Sequence, residues 1–232
     1  MFDDDDGLEA DLLQAVPIFP LPNAVLLPGM VLPLNVFEPR YLELVDHALD
    51  GGQYIGVPLL RPGYENDYEG RPETEAVFGV GRLMSHQRLP DGRRFIRLAG
   101  QRRLRRVREL PPDQSFRLVE CALLAEDEPA DTSGVQVLEA QLERIAATLR
   151  PDDAELVQSV LRIPERRTFT YAVAAVLPAL GLTPGNASMQ HSAMLAMQQA
   201  TLDASDSDAR VRVLSDFAAE LCTRLRDDAR MN

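Results

Sequence analysis

The period of the apolar residues changes once along the chain, and this change constrains the fold more than any other feature. Between residues 16 and 124 the apolar residues form short runs broken by proline and glycine, which is typical of strands and tight turns. From residue 135 onward they recur every three or four positions, which is typical of amphipathic helices. These patterns predict an α+β protein with an N-terminal β barrel, which contains one helix, and a C-terminal helical bundle.

The predicted organisation has four parts. They are an acidic flexible tail at residues 1–13, the β domain at 14–125, a linker at 126–134 and the helical bundle at 135–232. Within the β domain, Pro39–Leu49 is the one predicted helix. The polar segment Arg61–Glu75 is predicted to be a surface loop, and it is long enough to be functional.

The stretch Leu12–Phe37 contains no charged residue and has the length of a membrane span. It also contains five prolines, which would leave backbone groups without partners in lipid. We therefore interpret it as buried strands and expect no membrane segment. The strands predicted along the β domain are Val16–Phe19, Ala24–Leu27, Val31–Val36, Gln53–Leu60, Ala76–Leu89, Arg93–Ala99, Gln101–Leu110 and Ser115–Leu124.

Five helices are predicted after the linker. A capping box of Ser133 and Gln136 begins the first helix, and Asp152 caps the second. The other three predicted helices are Thr168–Leu180, Ser188–Leu202 and a last one that begins near Ser205.

Several catalytic classes are excluded by composition. All 24 basic residues are arginine, so these 232 residues contain no P-loop lysine, no Ser–Lys dyad and no Schiff-base lysine. The three histidines lack metal-ligand spacing with each other or with a cysteine, so we expect no metal and no cofactor. Two widely separated cysteines in apolar segments are expected to be buried free thiols in a reducing cytoplasm. We expect a protein that is not an enzyme.

A set of motifs resembles the substrate-binding N-terminal domain of Lon proteases. The stretch Ile18–Leu34, with the sequence IFPLPNAVLLPGMVLPL, resembles the opening of that domain, and Phe37–Tyr41 (FEPRY) resembles its free-standing members. Gly79–Leu83, Leu89–Gly92 and Gly100–Leu104 resemble later strands and a hairpin of the family. The resemblance implies a PUA-like β pseudobarrel followed by helices. It also implies a role in recognising protein substrates.

Three features are candidates for partner binding. Residues 82–117 hold eleven arginines and three acidic residues, and the densest part includes Arg102, Arg103 and Arg105. These arginines either line a solvated strand face or bind an anion such as RNA, although the nearby Phe95 and Phe116 are predicted to face inward and so would not stack bases.

The other two features are less polar. Methionines of the fourth helix, with Met194 and Met197 among them, are either core residues or an adaptable surface for peptides. Tyr64 and Tyr68 in the surface loop are either packed or part of an interface, and Arg40 either pairs with its neighbour Glu38 or contacts a partner. We expect protein or unfolded polypeptide as partner, with RNA as the alternative.

Overall fold

The computed structural model describes residues 10–180 and 187–231. The chain divides into two compact units, Met1–Leu124 and Ala125–Asn232. The α+β class predicted from the sequence is confirmed, because the first unit holds all the strands found in the described residues and the second is helical. No described helix has the length and apolar character that crossing a bilayer requires.

In its described residues, the N-terminal unit contains six strands and two α-helices. The strands are β1 (Val16–Ile18), β2 (Val31–Val36), β3 (Tyr54–Val57), β4 (Val77–Arg88), β5 (Arg94–Glu109) and β6 (Arg117–Leu123). The helices are α1 (Ala10–Gln14) and α2 (Pro39–Asp50), and a short 3₁₀ helix covers Tyr64–Asp67. Residues 10–13, which were predicted to be part of a flexible tail, thus lie in α1.

The strands form a closed ring with one strand outside it. The order is β2-β5-β4-β3-β1-β6, and β5 also pairs with β6, so five strands close on themselves and β2 remains an edge strand beside β5. Strand β5 pairs with three other strands, β2, β4 and β6. It can do so because it is 16 residues long and bends at register shifts in its pairings. Helix α2 packs its apolar stripe of Tyr41, Leu44, Val45 and Ala48 against this barrel.

Two glycines explain where the strand predictions were wrong. The segment Ala24–Leu27 was predicted as a strand, but it crosses the barrel as irregular chain. A Cβ atom at Gly79 would lie 1.8 Å from the carbonyl oxygen of Leu26, and one at Gly100 would lie 2.1 Å from that of Leu27. The predicted break at Gly100 is also absent, since β5 continues through it and the glycine leaves room for the crossing segment.

The C-terminal unit contains five helices in the described residues. They are α3 (Thr132–Ala146), α4 (Pro151–Leu161), α5 (Arg166–Ala179), α6 (Ala187–Asp203) and α7 (Ser207–Met231). The cap of α3 differs from the predicted capping box, because Asp131 accepts a hydrogen bond from the backbone N–H of Ser133 at 3.0 Å. The N-cap of α4 is Arg150 rather than Asp152, which lies in the first turn.

The segment with linker composition is held in place by the helices that follow it. Glu126 accepts hydrogen bonds from the hydroxyl of Tyr171 at 2.8 Å and from the guanidinium of Arg210 at 3.1 Å. The hydroxyl of Ser207 donates to the backbone carbonyl of Asp127. This segment is therefore tied to α5 and α7 by buried and half-buried polar groups.

Candidate functional site

Three of the predicted partner-binding residues meet where α2 approaches the loop 61–75. Arg40 pairs with Glu38 at 2.8 Å and donates to the backbone carbonyls of Tyr68 at 3.2 Å and Glu69 at 3.4 Å. The hydroxyl of Tyr68 donates to Glu38 at 2.9 Å, and the ring of Tyr64 lies 6.2 Å from that of Tyr68. The local pairing of Arg40 with Glu38 is thus observed, and a role in partner binding stays a prediction.

A cleft of about 220 Å³ lies beside this cluster. Its lining includes Pro20, Arg40, Tyr41, Leu60, Tyr68, Arg71, Phe116 and Arg117. Arg71 and Arg117 converge on one carboxylate, that of Glu109, at 2.7 Å each. Burial alone would raise the pKa of Glu109, but the hydrogen bonds and charges of these two arginines lower it below its usual value.

Polar groups in and beside this cleft fix the loop to the barrel. Arg117 donates to the backbone carbonyl of Pro72 at 2.9 Å, and Arg106 donates to the hydroxyl of Thr74 at 2.9 Å. Burial raises the pKa of Tyr41 to about 12, so its hydroxyl stays protonated at neutral pH. The guanidinium of Arg40 stacks on the ring of Tyr41, with 4.7 Å between its central carbon and the ring centroid. The arginines of this region thus stabilise it in three ways, by charge, by hydrogen bonds and by stacking.

The arginine-rich strands do not present one continuous cationic face. Arg105 is exposed and Arg102 half-buried, but Arg103 is only 1% exposed, which corrects its prediction as a surface contact. Arg103 lies opposite Gly79 in the register, on the face of the sheet that the segment around Leu26 covers. The spacing of residues along β5 does not reveal that the segment around Leu26 buries Arg103.

Other arginines of these strands have acidic partners. Arg94 pairs with Asp46 at 2.6 Å, and Arg108 pairs with Glu120 at 2.5 Å. Much of the local positive charge predicted for residues 82–117 is therefore compensated within the fold. No group of three potential metal ligands occurs among the residues at 10–180 and 187–231.

The methionines of α6 lie mostly in the helix packing. Met197 is buried, which corrects its prediction as a partner contact, and Met194 is half-buried. Met189, the third methionine of α6, has a side chain outside the described residues. Met197 packs within the unit because it lies on the same helix face as the buried Thr201, whose hydroxyl donates to the Met197 carbonyl at 2.8 Å.

An exposed apolar surface, which the sequence did not predict, lies where β2, β5 and β4 run side by side. We call it the outer face and define it by Val31, Phe37, Met84 and Phe95, together with the polar positions between them. These four side chains are 42%, 64%, 58% and 41% exposed. They make up four of the eight large apolar residues that are exposed in the described part of the chain. Such clustering is typical of an interaction surface.

The register brings these residues together. Phe95 pairs with Asn35 of β2 and with Gln87 of β4, while Phe37 continues the outward alternation of β2 just beyond its end. Met84 is the extra residue where the pairing shifts between Leu83 and Ser85. The prediction that Phe95 faces inward is wrong, because Ile96 and not Phe95 lies on the core side of β5. Phe116 is buried as predicted.

The edge of β2 is poorly suited to pairing with another strand. The backbone N–H of Gly100 donates to the Met30 carbonyl at 2.8 Å, so even-numbered residues of β2 direct their backbone groups toward β5. Odd-numbered positions direct theirs toward the free edge, and at Pro33, in the middle, no N–H exists. A partner is therefore expected to contact side chains of the outer face rather than to extend the sheet.

Comparisons with known proteins show which family this chain resembles. The model of the ATP-dependent protease La (LON) substrate-binding domain matches residues 15–224. Lon protease 3 of Sorangium cellulosum is 29% identical over 199 residues, which cover 81% of this chain and 23% of that protease. The Lon protease of Roseiflexus castenholzii is 38% identical over 101 residues, which cover 43% of this chain and 12% of that protease.

A solved structure supports the fold. The N-terminal domain of the Mycobacterium avium complex Lon protease superposes with a TM-score of 0.63 at 17% identity, covering 89% of this chain and 98% of that one. The chain spans less than a quarter of the length of the two Lon proteases described above. Because the family model covers most of its residues, the chain belongs to the family of the ATP-dependent protease La (LON) substrate-binding domain.

Proposed function

We propose that this chain is a non-catalytic recognition module that captures extended, apolar segments of other polypeptides on its outer face. Membership of the Lon substrate-binding family supports substrate recognition in general. The observation on which the proposed site rests is that Val31, Phe37, Met84 and Phe95 are all exposed on one face of the sheet. Burying a large apolar side chain is worth about 1.5–3 kcal/mol, so a few such contacts suffice for capture.

The non-catalytic part of the proposal is supported by composition. A chain without lysine holds neither a P-loop nor a Ser–Lys dyad within its 232 residues. We place its action in the cytoplasm, where Cys121 and Cys222 would remain the buried free thiols that they are here. Neither a cofactor nor a membrane is part of the proposed function.

Polypeptide is preferred over RNA as the partner for a structural reason. RNA binding was expected to use the arginine-rich strands, and there Arg103 is buried while Arg94 and Arg108 are paired with carboxylates. The net charge of −12 also opposes long-range attraction of phosphates. An RNA affinity equal to the polypeptide affinity would contradict this preference.

The proposal is tested by measuring the affinity for a permanently unfolded, labelled polypeptide by fluorescence anisotropy. The double variant Phe37→Ser with Phe95→Ser should bind at least about tenfold more weakly, because two apolar contacts are lost. The control is Val137→Ser, which removes an exposed apolar side chain from α3 of the other unit. Equal binding by all three proteins, or no binding by the unchanged chain, would contradict the proposal.

A further inference from the structure

The outer face carries two arginines that have no side-chain partner among the described residues. Arg97 lies on β5 between Pro33 of β2 and Ser85 of β4, and Arg82 lies opposite Ala99. Both side chains are exposed. Neither forms a hydrogen bond or an ion pair with any residue at 10–180 or 187–231.

No acidic residue occupies this face. The register positions that face outward on the three strands are Val31, Pro33, Asn35, Phe95, Arg97, Ala99, Arg82, Ser85 and Gln87. On other parts of β5, by contrast, Arg94 and Arg108 have carboxylate partners from the fold itself. Among the residues at 10–180 and 187–231, therefore, no carboxylate pairs with these two cations, which lie beside exposed apolar side chains. This arrangement is complementary to an acidic and apolar ligand.

We propose that the outer face selects polypeptide segments in which an acidic residue stands two positions away from a large apolar residue. This inference rests on the proposed function and names the chemistry of the captured segments. Arg97 and Phe95 are alternate residues of one strand and therefore lie about 6.8 Å apart on the same side. An extended peptide repeats its side chains at the same interval, so an acid and an apolar residue two positions apart match Arg97 and Phe95.

The alternative occupants fit the charges less well. A second copy that docked through the same face would bring four arginines, Arg82 and Arg97 of each copy, into one interface, which is unfavourable at close range. RNA phosphates would be attracted to both arginines, but the apolar residues around them favour polypeptide side chains. Self-association of the chain and displacement of the peptide by RNA are therefore both measured in the test.

The test compares two labelled peptides that differ only in having aspartate or asparagine two positions before each leucine. Exposed ion pairs contribute modestly, so two of them should make the aspartate peptide bind about tenfold more tightly at low salt. The general field of the chain predicts the opposite order, because a net charge of −12 repels an acidic peptide. Preference for aspartate therefore requires a local cationic site, and it should shrink at about 1 M salt.

Matched variants assign the preference to the two arginines. The double variant Arg82→Gln with Arg97→Gln should lose the preference and bind the aspartate peptide no more tightly than the asparagine peptide. Arg144→Gln removes an exposed arginine of the other unit, whose side chain forms no hydrogen bond or ion pair with any residue at 10–180 or 187–231. This variant should keep the full preference. Unchanged thermal unfolding midpoints would confirm that all three proteins are folded.

The outcomes separate this inference from the proposed function. Equal affinity of the unchanged chain for both peptides, combined with weaker binding by the Phe37→Ser and Phe95→Ser variant, overturns the selectivity and leaves the capture function standing. No binding of either peptide overturns both. Self-association that blocks the face in sedimentation experiments, or displacement of the aspartate peptide by a lower concentration of single-stranded RNA, also overturns the inference.

Discussion

The buried ion pair between Glu126 and Arg210 should be a main determinant of the stability of the C-terminal unit. The side chain of Arg210 is 0% exposed and that of Glu126 is 6% exposed, with 3.1 Å between them. The Arg210 guanidinium also lies 4.2 Å from the ring centroid of Tyr171, whose hydroxyl donates to the same carboxylate. Replacing Glu126 by alanine leaves this guanidinium buried without its counter-charge, at an expected cost of about 3–5 kcal/mol.

An exposed pair in the same unit provides the control. Glu220 pairs with Arg224 one turn further along α7, and both side chains are at least half exposed. Glu220→Ala should therefore cost no more than about 0.5 kcal/mol. The assay is urea unfolding of the full chain followed by the helical circular dichroism signal, which comes mainly from α3 to α7.

A third variant distinguishes the loss of a partner from the loss of packing. Replacing Glu126 by leucine and Arg210 by methionine together removes both charges while keeping similar volumes, so it should cost far less than Glu126→Ala alone. A cost of Glu126→Ala below about 1 kcal/mol, similar to that of the exposed control, would refute the reasoning from burial.

Three further predictions concern the N-terminal unit. Gly79→Ala places a Cβ atom 1.8 Å from a backbone oxygen and should lower the thermal midpoint strongly, whereas Gly52→Ala, whose nearest contact would be 3.4 Å away, should not. Because its pKa is lowered in the folded state, Glu109 stabilises the fold above its ordinary pKa of 4.5, and this contribution is lost as the pH falls through the lower folded value. Glu109→Gln should thus be less stable than the unchanged chain at neutral pH, and this difference should shrink as the pH is lowered below 4.5, as measured by thermal unfolding across that range. Burial raises the pKa of the Cys121 thiol to about 12, so iodoacetamide at about pH 8 should label it only after unfolding, as peptide mass spectrometry would show.

The sequence was sufficient for the features that depend on local pattern. The class of the fold, helix α2 with proline in its first turn, and the five helices described in the C-terminal unit all follow from periodicity and proline positions. Phe116 was correctly predicted to be buried. These features depend mainly on residues that are close to one another in the sequence.

Features that depend on distant segments were not predictable in this way. The segment around Leu26 crosses the glycines of β4 and β5, so it is not a strand, and it also covers the face on which Arg103 lies. The outer face requires the register of three strands, since Val31 and Phe95 are distant in sequence and only the pairing of β2 with β5 places them on the same face. The alternation of side chains along β5 does not by itself show whether Phe95 or Ile96 faces the core, because a shift of one residue exchanges the two faces.

The most direct test of the proposed capture site is photo-crosslinking from defined positions to an unfolded polypeptide. A photoreactive amino acid replaces Met84 on the outer face in one protein and Val137 on α3 in another, both of which are exposed positions. We predict a strong crosslink from position 84 that an excess of unlabelled polypeptide removes, and only background labelling from position 137. Equal labelling from the two positions, or none from position 84, would contradict the assignment of polypeptide capture to this face.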